Sequence, residues 1–241
     1  MTSSQNPVAI VTGGNSGIGE AIAKFLARRD YTVVVAGRRS DENERVVEEI
    51  AAAGGPPAQA RTADVSKEED CLALIRDTAS DCGRLDLLVN NAGIGGKGAL
   101  AETTSEDFDR VMKTNLYGPY WCAREAFALM REQELDPGKQ LRGSILNISS
   151  VCGLDAWAGV GMYAASKHGL VGLTRALAAE GGELGIRAAA ICPAMVATPM
   201  TGVSGDEFIS PEDIAITVGY LLDLGAAAWP REIAIPRRGS E

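Results

Sequence analysis

Val8-Ala9-Ile10-Val11-Thr12-Gly13-Gly14-Asn15-Ser16-Gly17-Ile18-Gly19 decides how this chain folds. Residues 8–12 are an apolar run that ends on a glycine-rich turn. From Ile18 the period changes, and Ile18, Ala21, Ile22, Phe25 and Leu26 share one face of a helix over 18–29. A strand feeding a helix in this way opens an alternating α/β pattern, and the alternation continues outward. Residues 32–36 are nearly all valine, as in a strand buried on both faces. The helix over 42–53 stops at Gly54-Gly55-Pro56-Pro57, and a weaker strand follows at 58–62. Then come helix 67–82, strand 85–89, a long helix 105–134 ended by Asp136-Pro137-Gly138, and strand 144–148. Helix 161–183, strand 186–191, a helix opening at Ser210-Pro211-Glu212-Asp213 and a short strand 232–235 complete the chain. Seven strands alternating with about six helices predict a Rossmann-like, doubly wound α/β fold: a seven-stranded parallel sheet with helices on both faces. No repeat, low-complexity tract or linker interrupts it, so residues 1–241 are expected to form a single domain.

Bulk composition removes several classes of function. Hydrophobic residues make up 46% of the 241, ample for a core, and the net charge of −9 argues against a nucleic-acid footprint. The basic pairs Arg38-Arg39 and Arg237-Arg238 are too short to change that, yet either could grip one phosphate. Five cysteines stand without C-x-x-C spacing, and the polar lead at 2–6 runs straight into the first strand with no signal-peptide pattern. Both point to reduced thiols in a cytoplasmic protein. No segment approaches 18 consecutive apolar residues, so no membrane span is expected. The one histidine, His168, would have to be the base of any Ser-His-Asp hydrolase, and it reads better as a polar residue on a helix. The scattered cysteines offer no zinc site, and no metal is expected.

The opening turn carries the first chemistry. Glycines permit a tight turn, close approach of backbone to a pyrophosphate, and close packing of helix on strand. The helix that follows offers unpaired N–H groups and a favourable dipole to phosphates. Gly13, Asn15, Ser16, Gly17, Ile18 and Gly19 are therefore candidate dinucleotide-binding residues, in G-x-x-x-G-x-G spacing rather than G-x-G-x-x-G. At the end of the second strand stands Gly37-Arg38-Arg39. An NAD site places an acidic residue here for the ribose 2′-OH, and an NADP site a cation for the 2′-phosphate, so Arg38 and Arg39 favour NADP.

Tyr163 and Lys167 carry the second. Four apart at the start of a helix, they project from one face. A phenol is a weak acid, with an unperturbed pKa of about 10. An ammonium beside it favours the phenolate and brings proton exchange towards neutral pH.

Together these motifs resemble the short-chain dehydrogenase/reductase family, in its Tyr-x-x-x-Lys branch. The match runs from Val8 to Ile235, with the motifs in order: Thr12 to Gly19, Asp64-Val65, Asn90-Asn91-Ala92-Gly93, Asn115, Ser150, Tyr163 with Lys167, and Pro193 to Thr198. The resemblance implies Tyr163 as acid/base and Lys167 as the group that lowers its pKa and binds the nicotinamide ribose. It implies Ser150, rather than its neighbour Ser149, as the hydrogen-bond donor to the substrate oxygen, and Asn115 as holder of a water that links Lys167 to bulk. On the cofactor side it places Asp64 on the adenine amino group with Val65 beside the ring. Asn91, Ala92 and Gly93 would lie along the adenosine ribose and Val196 and Thr198 at the nicotinamide carboxamide, with Pro193 also among the cofactor-binding residues.

The chain departs from the family pattern at Pro193-Ala194, where Pro-Gly is usual, at Ala189, where an asparagine is expected, and in lacking a Gly-Gln segment near the last strand. The first two are expected near the nicotinamide. The stretch 199–209, a lid over the substrate in the family, is short and holds no arginine cluster. Ile94, Cys152, Trp157 and Met162 are candidate pocket residues. The expected reaction interconverts a small or medium carbonyl compound and its secondary alcohol with NADP(H). The alternatives weighed against it are a non-catalytic NAD(P)-binding sensor, which usually lacks one of these motifs, and an extended sugar-nucleotide enzyme, which needs a larger C-terminal region. Apolar surface on the two long helices, around Trp121 and Leu170-Val171, predicts a homo-oligomer, a tetramer or dimer.

Overall fold

A computed structural model describes residues 6–136, 138–225 and 227–239. Positions 2–5 of the polar lead and Pro137 lie outside them. The strands are β1 (Val8–Thr12), β2 (Thr32–Gly37), β3 (Gln59–Thr62), β4 (Leu87–Asn90), β5 (Gly143–Ile148), β6 (Ile186–Pro193) and β7 (Glu232–Ile235). All pair in parallel, in the order β3-β2-β1-β4-β5-β6-β7. Alternation along the strands divides the core. Val33 and Val35 pack on one face with Ile22, Leu26 and Val46, while Val34 and Ala36 pack on the other with Ile75, Cys122 and Met130. Helices α1 (Gly17–Ala27), α2 (Ser40–Ala52) and α7 (Pro211–Asp223) cover the first face. The second is covered by α3 (Glu68–Cys82), α5 (Gly118–Glu132) and the C-terminal part of α6 (Gly161–Gly181). Chain direction across the sheet reverses between β1 and β4, which opens a crevice at their carboxyl ends.

The helix expected over 105–134 is not continuous. It starts as α4 (Ser105–Met112), widens into a π-type turn at Lys113–Tyr117, and resumes as α5. Two residues favour the interruption. Pro119 has no N–H to donate back to residue 115, and a Cβ at Gly118 would stand 2.5 Å from the Val65 carbonyl oxygen. The widened turn pushes Leu116 against Gly169 of α6, and Asn115 into the interior.

The apolar surface expected on both long helices is found on one of them. Leu170 and Val171 are buried, and the sheet covers Val171 through Ala190 and Cys192 of β6. Tyr117 and Tyr120 are exposed, with the Arg124 guanidinium over the Tyr120 ring. No helix among the described residues is long and apolar enough to cross a membrane.

A buried polar chain fixes α6 to the sheet. Asn90 Nδ2 donates to Asn147 Oδ1 (2.9 Å), Asn147 Nδ2 to Thr174 Oγ1 (2.8 Å), and Thr174 Oγ1 to the Leu170 carbonyl (2.7 Å). Cutting it strands several polar groups away from water. Asn147→Ala is expected to lower unfolding stability by about 1–3 kcal/mol, read as a lower urea midpoint at unchanged slope.

Candidate active site

The glycine turn sits at the crevice between β1 and β4 and is braced from β4. Asn91 Nδ2 donates to the carbonyls of Thr12 (2.9 Å) and Gly13 (3.2 Å), while Thr12 Oγ1 accepts from the N–H groups of Asn91 (3.0 Å) and Ala92 (3.1 Å). Gly13 and Gly17 have φ of +62° and +53°, where a side chain is strained. A Cβ on Gly19 would run into the Gly13 carbonyl and the Asn91 amide, and one on Gly17 would meet Thr198 at 3.1 Å. Ser16 makes no side-chain cap, so the first N–H groups of α1 receive no bond from it. Beside them lies a cavity of about 360 Å³ at the carboxyl edge of the sheet. A bare backbone cradle and a helix N-terminus opening on a large cleft fit a dinucleotide pyrophosphate.

The cavity is lined by nearly every residue singled out in the sequence. Gly13, Asn15, Ser16, Gly17 and Ile18 form the turn, Arg38 and Arg39 the tip of β2, and Asp64 and Val65 the end of β3. Asn91, Ala92 and Gly93 follow β4, Ser150 follows β5, and Pro193, Val196 and Thr198 follow β6. Tyr163 and Lys167 enter from α6. Gly19 and Asn115 stand behind the wall rather than in it. Both arginines at the β2 tip are exposed, and Arg39 Nη2 lies 3.5 Å from Asn15 Oδ1. Asp64 Oδ1 is engaged by the Ser66 N–H (3.1 Å) and hydroxyl (2.8 Å). Burial opposes its ionisation, but those bonds and the charges of Arg38 and Lys67 outweigh it and hold its pKa below the ordinary value.

At the other end, Ser150 Oγ accepts from the Cys152 N–H (3.1 Å) and donates to the Pro193 carbonyl (3.4 Å). Ser149 turns away, its hydroxyl donating to the Lys167 carbonyl (3.1 Å). Lys167 is buried, its Nζ donating to the Ile148 carbonyl (2.8 Å) and standing 5.6 Å from the centre of the Tyr163 ring. The expectation that this ammonium depresses the phenol pKa is not met in this arrangement. Burial pushes Tyr163 up to about 12, opposed by its hydrogen bond with Ser150, and burial pulls Lys167 down to about 8. Removal from water is the largest cause of each shift.

Asn115 has more partners than its motif suggests. Its Oδ1 accepts from the Ile94 N–H (2.8 Å), and its Nδ2 donates to the Ile94 carbonyl (2.9 Å) and to Ser166 Oγ (3.2 Å). Ser166 in turn donates to the Tyr163 carbonyl (2.7 Å), so the π-type turn ties the loop after β4 to the first turn of α6.

Of the four candidate pocket residues, only Ile94 lines the cavity. Met162 is buried against Gly96, and Trp157 is 53% exposed on the loop before α6. Ala189 sits in the core against β5, not near the nicotinamide end, whereas Ala194 does line the cavity. Sequence reading missed Thr114 and Ile148, which also line it, while Pro199 to Thr201, the start of the stretch expected as a lid, line it as well. Ile148 acts through its carbonyl, which no side-chain motif announces. His168 is exposed, with Nδ1 3.0 Å from the Ala164 carbonyl oxygen. Among the described residues no group of three or more His, Cys, Asp or Glu could hold a metal.

A doubly wound sheet with a glycine turn at its switch point and a tyrosine–lysine pair beside it defines a dinucleotide-dependent oxidoreductase. A family model for short chain dehydrogenase matches residues 7–207, and the chain belongs to that family. The 3beta-hydroxysteroid dehydrogenase of Mediterraneibacter gnavus is 37% identical over 195 residues, covering 80% of this chain and 67% of that protein. A variant of actinorhodin polyketide ketoreductase solved with NADPH superposes with a TM-score of 0.85 at 33% identity, over 98% of this chain and 97% of the other. The 3-ketoacyl-(acyl-carrier-protein) reductase of Brucella melitensis, solved with NADH, gives 0.86 at 31% identity over 99% of each chain. The chain is an NAD(P)-dependent oxidoreductase of this family.

Proposed function

We propose that the protein reduces a neutral, apolar carbonyl compound to its secondary alcohol with NADPH, or runs the reverse reaction with NADP⁺. The observation that carries this reading is the convergence of Tyr163, Ser150 and Lys167 on the cleft that holds the glycine turn. The nicotinamide, when bound, supplies or accepts the hydride. Ser150 and Tyr163 donate hydrogen bonds to the carbonyl oxygen and stabilise the charge that develops there. Tyr163 then gives its proton to that oxygen, so that ketone, hydride and proton become alcohol. Lys167 stabilises the phenolate that remains, and Asn115 keeps the loop after β4 and the turn of α6 in register around them.

The substrate class is read from the loops after β4, β5 and β6, which share the carboxyl edge of the parallel sheet. They carry exposed Leu100, Leu154, Trp157, Met195 and Met200, and Met200 lines the cavity with Tyr163. Their charges are Lys97 against Glu102, Asp155, Asp206 and Glu207. An apolar rim with excess negative charge favours a neutral ketone and disfavours a carboxylate or phosphate. The names of the relatives, one a steroid dehydrogenase and one a ketoacyl reductase, support carbonyl chemistry on an apolar carbon skeleton.

The test is a screen of neutral and anionic ketones with NADPH and NADH, followed at the nicotinamide absorbance. Turnover of no carbonyl by a protein that binds NADPH would refute the enzymatic reading. The preference for NADPH rests on the cations at the tip of β2. Arg38→Asp is expected to raise the NADPH KM by about tenfold or more and to improve NADH, because it substitutes a 2′-OH acceptor for a 2′-phosphate donor. Unchanged KM values for both cofactors would remove Arg38 from the site.

A further inference from the structure

Behind the β2 tip lies a residue that does not line the cavity yet holds two parts of its wall together. Asn43, in the first turns of α2, is fully buried. Its Nδ2 donates to the carbonyls of Gly37 (2.9 Å) and Arg61 (2.9 Å), and its Oδ1 accepts from Asn15 Nδ2 (2.7 Å). Both amide protons and the amide oxygen are therefore used. Its main-chain N–H donates to the Arg39 carbonyl (3.1 Å). The packing leaves no room for another atom, since a Cβ on Gly37 would stand 2.5 Å from Asn15 Nδ2 and 2.9 Å from Asn43 Oδ1.

Asn15 belongs to the glycine turn, and Gly37 ends the strand that presents Arg38 and Arg39. One buried amide thus bridges the segment facing the pyrophosphate and the segment facing the adenosine 2′ position. A second grip comes from two residues further along α2. Arg45 Nη2 donates to the Asn15 carbonyl (3.3 Å), with its guanidinium held by Glu20, Glu42 and Glu49. Helix α2 therefore clamps Asn15 at its side chain and at its main chain.

We propose that Asn43 is a positioning residue for cofactor selection: it fixes the separation of the glycine turn from Arg38-Arg39, so that a 2′-phosphate meets cations already in place. This rests on the NADP(H) reading above. A preorganised site spends less of its binding free energy on ordering, and here the saving belongs to the 2′-phosphate, because only that group reaches the arginines. Loss of Asn43 leaves the Gly37 and Arg61 carbonyls and the Asn15 amide without their partner, and the β2 tip moves relative to the turn.

Calorimetric titration of adenosine 2′,5′-bisphosphate and of adenosine 5′-monophosphate tests this without turnover. Wild type is expected to bind the bisphosphate more tightly. In Asn43→Ala the bisphosphate is expected to weaken by about tenfold, the equivalent of ~1.4 kcal/mol, and the monophosphate by less than about threefold. Asn43→Thr, whose hydroxyl donates to one of the two carbonyls, is expected to fall between them, and it carries the test if the alanine variant does not fold. An equal loss for both ligands, or a lower melting temperature with an unchanged ratio, would show a merely structural role and overturn the proposal. Equal affinity of wild type for both ligands would instead refute the NADP(H) preference, and the role of Asn43 would fall with it.

Discussion

Tyr163→Phe is expected to lower kcat by about 10²–10⁴-fold, the range that one positioned acid/base supplies, while NADPH affinity changes by less than about threefold. The substitution removes one oxygen from a side chain that packs among Ser150, Cys152 and Lys167 and leaves the ring in place. With burial holding its pKa at about 12, the phenol keeps its proton across the physiological range. In the proposed mechanism it therefore enters the reaction as the acid, the form that carbonyl reduction requires. Alcohol oxidation needs the phenolate, so in that direction the rate is expected to rise with pH through the alkaline range. Fluorescence titration of NADPH and initial rates on the best ketone from the screen measure both quantities. Turnover that survives in the phenylalanine variant would assign the proton to another group.

Gly19→Ala is expected to weaken NADPH binding by about a hundredfold or more, equivalent to ~2.7 kcal/mol, the scale of forcing an atom into a packed backbone. The added methyl would collide with the Gly13 carbonyl and with the Asn91 amide that braces the turn. Neither neighbour is the free end of a flexible chain, so the turn itself must move. Gly172, on the exposed side of α6 with nothing within 4 Å of a built Cβ, is the control. Gly172→Ala is expected to leave NADPH binding unchanged and to stabilise the fold by up to about 1 kcal/mol, the helix-propensity difference. If both variants bind NADPH like wild type, the glycine turn does not face the phosphates.

What could be read from the sequence, and what could not, follows the range of the interactions. The glycine turn, the valine strand at 32–36 and the Tyr163–Lys167 spacing are local patterns, and each appears in the structure where the sequence places it. The order of the strands is set by contacts between distant segments, and alternation alone does not specify it. The π-type turn at Lys113–Tyr117 was hidden because the apolar pattern continues through it, although Gly118-Pro119 stood there as the local sign of a break. Asn43 offered no signal, since an asparagine among glutamates on a helix reads as solvated surface. The direction of the Tyr163 and Lys167 shifts depends on burial, and spacing along one helix cannot report how deeply a face is covered. Main-chain partners such as the Ile148 carbonyl leave no mark in side-chain motifs at all.

The anchoring of α6 has a further consequence for how such a protein could be redesigned. Asn147 and Thr174 fasten the helix that bears Tyr163 from beneath, within the sheet and away from the loops. Leu100, Trp157 and Met200 stand instead on three separate connections, exposed and free of that fastening. On the proposed function, reactivity and substrate preference therefore reside in different layers of the molecule. The outer layer is then open to loop exchange, one connection at a time, with the proposed proton donor held still underneath.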